Sequence, residues 1–113
     1  MTAPGMEGLR DALAEEMRVA EHGEGALEEY LTMADAILAP GGPLWPALRA
    51  LGLQAWANAD DILIARYSGN PVRPDVDRLN ASRRALAIGT LGAQEITGPL
   101  ASACLAAAEM EAS

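Results

Sequence analysis

The chain has 113 residues, sixteen of them acidic and eight basic, for a formal charge of −8. Half of it is apolar, too much for a disordered chain, yet phenylalanine is absent and aromatic residues make up only 4%. These figures predict a single domain, residues 1–113, whose Leu, Ile and Ala core is thin, and they speak against nucleic acid or an anionic membrane as a partner.

Met6, Leu9, Leu13, Met17 and Ala20 recur at three- and four-residue steps, which predicts a helix from about residue 5 to 21, closed by His22-Gly23. Leu27, Tyr30, Leu31, Ala34, Ile37 and Leu38 predict a second helix, so that residues 5–39 form a helical hairpin. The run Ala39-Pro40-Gly41-Gly42-Pro43 must break it. A third helix is predicted over 45–68, with Pro46 in its first turn, where a missing N–H costs nothing. Its main face is Leu44, Leu48, Leu51, Ala55, Ala59, Ile62 and Leu63, and Leu53, Trp56, Ala57 and Ile64 carry apolar surface almost all round it. A helix of that kind is expected at the centre, touching several neighbours.

Ser68–Pro74 reads as a loop, followed by Asp75 as the N-cap of a fourth helix over about 75–96. Leu79, Leu86, Ala93 and Ile96 mark its apolar side, widened by Ala81, Ala85, Ile88 and Gly92. Thr97-Gly98-Pro99 restarts the chain as a short alanine-rich helix over 99–110. No stretch alternates as a strand would. The expected fold is all-α, an antiparallel bundle of four main helices plus a short C-terminal one.

The charge is unevenly placed. Residues 1–42 hold nine acids against two arginines, a net of −7, whereas residues 43–113 hold seven acids against six arginines, a net of −1. These acids read either as a solvated face kept soluble by like charge or as a docking surface for a basic partner; self-repulsion of that size disfavours the compact state, and docking gives it a purpose. Glu15, Glu16, Glu24, Glu28, Glu29 and Asp35 are the residues expected to form this acidic face. A thin core adds the expectation of a homo-oligomer, because an isolated copy would leave apolar patches exposed.

A second constellation is the polar line Gln54, Asn58 and Asp61, which share one face of the third helix, with Asp60 beside it. It reads as a structural hydrogen-bond network, with Arg78, Arg83 or Arg84 as candidate partners, as a simply solvated face, or as a ligand or metal site, for which carboxylate and amide groups with water suit Mg²⁺. Glu28-Glu29 on one helix, followed about thirty residues later by Ala59-Asp60-Asp61-Ile62-Leu63-Ile64 on the next, resembles the all-α MazG-type nucleotide pyrophosphohydrolases. The resemblance covers about a third of the chain and implies Mg²⁺ held by Glu28, Glu29 and Asp61. Thr32 stands where that family has a third acid, and Asn58 where it has the glutamate of the second helix.

Other residues carry structural expectations. His22 lacks a second imidazole or nearby thiol to complete a transition-metal set, and its place is at a helix C-terminus. Cys104, the only cysteine, excludes an internal disulfide, fits a reducing compartment and reads as a small buried apolar residue. Gly89 and Gly92, without the lysine of a phosphate loop, are expected to permit close helix packing. The basic residues are all arginine, which suggests a GC-rich bacterial or phage genome. With no secretory leader apparent, the expected location is the cytoplasm or a virion.

The resulting expectation is a non-enzymatic interaction or assembly protein with neither metal nor cofactor. It would serve either as an inhibitor or antitoxin-like adaptor covering a basic site, or as a structural subunit of a phage or particle.

Overall fold

A computed structural model describes residues 6–21, 27–69 and 72–110. The fold is all-α. The described residues form five helices and no strand: α1 (Glu7–Ala20), α2 (Leu27–Leu38), α3 (Trp45–Tyr67), α4 (Val76–Ala93) and α5 (Gly98–Glu109). The predicted His22-Gly23 stop lies outside the described residues; α1 ends at Ala20 with Glu21 as its C-cap.

α1 and α2 pack as a hairpin, α3 packs on α4 and α5, and α1 also packs on α5. α2 is not laid along α3. At 1.5 Å per residue these two helices span about 18 and 34 Å, so the two joined end to end account for most of the long dimension. The molecule measures 61 × 29 × 20 Å. Its radius of gyration is 16.8 Å, against about 13 Å for a compact chain of this length. The break between α2 and α3 is a tight turn at Gly41, with φ +79°, and Gly42, whose missing Cβ leaves room for the Ala39 carbonyl.

Two cores form. The larger joins Met6, Leu38, Trp45, Leu48, Trp56, Leu91 and Leu105 with a set of alanines and Cys104. The smaller is Ala14, Tyr30 and Ala34, flanked by Leu13, Met17 and Leu31. The base of the hairpin thus belongs to the main core, and its far half is held by a satellite of three buried residues.

Close packing occurs at Gly52, not at Gly89 or Gly92. A Cβ on Gly52 would overlap the Cys104 carbonyl and approach Ala108 Cβ to 2.8 Å, whereas Gly89 and Gly92 have nothing within 4 Å. The glycine pair sits on the open side of α4, where spacing alone could not reveal that no helix faces it. The inward line of α4 also differs from the predicted one. Ala87 and Leu91 are buried and Leu79 and Leu86 half-buried, whereas Ala81, Ala85, Ile88 and Gly92 are exposed. Alanine marks neither side strongly, and Arg83 occupies an inward position that an apolar count rejects.

α4 stops at Ala93 because Glu95 takes the left-handed conformation, with φ +64°. The Ile96 N–H then donates to the Leu91 carbonyl and the Glu95 N–H to the Gly92 carbonyl, the double closure of a Schellman motif. The start of α4 is as expected: the Asp75 carboxylate accepts from the Arg78 N–H at 2.8 Å. At the far end of α5, Arg49 donates to the Ala107 carbonyl at 2.9 Å and also to the Met110 carbonyl. These carbonyls would otherwise be orphaned at the helix terminus.

Candidate functional site: the acidic hairpin

The hairpin buries one side of each helix and leaves most of its described acids outside. Tyr30 and Ala34 of α2 close on Ala14 of α1. The Tyr30 hydroxyl donates to the Glu21 carboxylate across the hairpin at 2.9 Å. Arg10 lies between Asp11 at 2.9 Å and Asp35 at 4.0 Å. Asp35 is therefore a half-buried cross-helix partner, drawn into the seam and away from an outer docking face. Arg18 holds Glu15 at 2.5 Å. That hydrogen-bonded guanidinium lowers the Glu15 carboxyl below its ordinary range, and the Arg18 pKa rises in return.

Glu16, Glu28 and Glu29 are exposed, and none has an ion-pair partner among the described residues. Consecutive residues on a helix point about 100° apart. Glu15 and Glu16 on α1, like Glu28 and Glu29 on α2, therefore point different ways, and the charge wraps the hairpin as an acidic finger. Glu24 and His22 lie outside the described residues. Exposed Val19, Leu27 and Met33 supply apolar surface between these acids.

The polar line of α3 is a wet face. Gln54 donates to Asn58 at 3.1 Å, Gln54 and Asp61 are exposed, and Asn58 is half-buried. Its neighbour Asp60 makes the arginine contact. Arg83 Nη2 donates to Asp60 Oδ2 at 3.0 Å, and Arg83 Nε lies 2.8 Å from Oδ1, close enough for attraction although not aligned as a hydrogen bond. The same guanidinium stacks over Trp56 at 4.5 Å. One helical step separates Asp60 from Asp61, and that step decides which carboxylate faces α4. Among the described residues no three His, Cys, Asp or Glu side chains are grouped to hold a metal ion, so Glu28, Glu29 and Asp61 do not converge.

Two clefts were not visible in the sequence. One, of about 400 Å³, lies between Trp56, Asn80, Arg83, Arg84 and Glu109. Both of its arginines are neutralised, Arg83 by Asp60 and Arg84 by Glu109 at 2.5 Å, so it offers an anion little net charge. The other, of about 350 Å³, lies at the far tip of α3 and α4 between Leu63, Ile64, Tyr67, Arg73 and Leu79. Cys104 is fully buried, and that burial pushes its thiol pKa up, which disfavours the reactive thiolate. No described helix is long and apolar enough to cross a membrane. Comparison with protein-family models, with curated proteins and with solved structures finds no match.

Proposed function

We propose that this protein acts by binding and not by catalysis, and that the α1–α2 hairpin docks on a basic surface of a protein partner. The observation that carries the reading is Glu16, Glu28 and Glu29, exposed and without a counter-charge among the described residues, on a projecting hairpin. Among the described residues, its distal half is held by a cluster of three buried side chains. Uncompensated like charge on a thin support destabilises the free protein, and a basic partner reverses that term. Val19, Leu27 and Met33 between the acids provide the apolar contact that an interface needs beyond charge.

The test is capture of partners from the native host by the full chain, alongside a Glu16→Arg/Glu28→Arg/Glu29→Arg variant. These residues leave the Arg10–Asp35 and Arg18–Glu15 pairs untouched. The expected result is a basic partner whose capture weakens as salt rises and disappears in the variant, with helical circular dichroism preserved. Capture that survives both salt and charge reversal would move the docking site off the hairpin.

A further inference from the structure

The opposite end of the molecule has a different chemistry. At the tip where α3 meets α4, Ile64 is 68% exposed, Val72 74% and Val76 70%. Ile64 lines the cleft together with Leu63, Tyr67, Arg73 and Leu79, and Val72 and Val76 lie close in sequence to Arg73 and Leu79. Arg66, Arg73 and Arg78 carry no ion pair among the described residues, and neither do Asp61 and Asp77, while Asp75 is engaged as the cap of α4. Between residues 61 and 80 three arginines meet three aspartates, a net charge of zero.

We infer that this tip is a contact surface for a second copy of the chain, joined about a twofold axis. Two observations select that occupant. First, a patch with equal numbers of arginine and aspartate is complementary to itself. About a twofold axis a contact of residue i with residue j of the other copy recurs as j with i, so every Arg–Asp match formed once is formed twice. Second, the hairpin, within the segment of net −7, is a poor surface for like copies to share. Joined at the tips, two copies make a rod with an acidic hairpin at each end, so the tip contact and the hairpin's own docking stay independent.

Sedimentation equilibrium and small-angle scattering of the full chain at micromolar concentration test this. The wild type is expected as a dimer, with a maximum dimension close to twice that of the monomer. Ile64→Glu/Val76→Glu alters two exposed positions outside the core. It should weaken association by at least about a hundredfold, the effect expected of central interface residues, while helical circular dichroism is unchanged. Leu53→Glu, also exposed but away from the tip, should leave the dimer intact, as should Glu16→Arg/Glu28→Arg/Glu29→Arg. A wild-type monomer, or a dimer that persists in Ile64→Glu/Val76→Glu, overturns the inference. Growth beyond the dimer that is abolished by charge reversal on the hairpin also overturns it, because that result means hairpin-to-tip stacking.

Discussion

Asp60 and Asp61 differ by one residue and by what a carboxylate does. Asp61 is exposed without an ion-pair partner among the described residues, so Asp61→Asn should change stability by no more than about 0.5 kcal/mol. Asp60→Asn removes the charge that holds Arg83 over Trp56. It should cost about 1 kcal/mol, since both side chains are partly solvated. Denaturant titration of the two variants checks the order; equal effects would mean that the Asp60–Arg83 pair contributes nothing. Glu95 gives the opposite case. An L-residue at φ +64° is strained by about 1–2 kcal/mol, part of which glycine returns as lost chain entropy. Glu95→Gly should therefore stabilise the protein by about 0.5–1 kcal/mol, read as a higher urea midpoint at unchanged slope. The sequence offered no sign of this position, because the usual marker of a left-handed cap is glycine and the chain placed its glycine three residues later.

At the scale of the helices, periodicity located all five elements because each boundary has a local cause: Pro46 and Pro99 in first turns, the Asp75 cap, and the Pro-Gly break after α2. Which side of each helix faces inward was legible for α1 and α2, where long apolar side chains alternate with acids, except at the helix ends, where Ala20 and Leu27 were expected on the inward stripes and are exposed. It was not legible for α4, where alanine and glycine make up much of the surface and Arg83 points in. Nor could the sequence say that α3, apolar almost all round, leaves Leu53, Ile62 and Ile64 exposed, because its neighbours cover only two of its sides. The acids of the hairpin were legible as a group. Asp35 was misplaced on the outer face because only the structure brings Arg10 to it. The glycines test this account directly. Gly52→Ala drives a methyl into the backbone of α5 and should cost about 3 kcal/mol or more. Gly89→Ala, in open space within a helix, should stabilise by about 0.5–1 kcal/mol. Thermal melts of the pair separate the readings: if Gly89→Ala is the damaging change, the packing seam lies on the other side of α4.

Across the whole molecule, the main core and the satellite core divide stability unequally. α3, α4 and α5 share the large cluster, whereas the far half of the hairpin relies on Ala14, Tyr30 and Ala34 and carries most of the negative charge. Few buried contacts and unscreened like charge are the conditions for local opening below the global unfolding free energy. Amide exchange should accordingly be faster in residues 15–20 and 27–33 than in α3 and α5. Salt acts on the two regions differently. Raising ionic strength from low to physiological shortens the screening length from about 30 to 8 Å. That relieves repulsion among Glu16, Glu28 and Glu29, but it also weakens the exposed Arg18–Glu15 pair. Since acids outnumber arginines nine to two in that third of the chain, relief should prevail. Exchange in the hairpin should therefore slow with salt, while exchange in the main core changes little. Faster hairpin exchange in salt would show that its few ion pairs outweigh its repulsion, and the charge imbalance would then cease to argue for a basic partner.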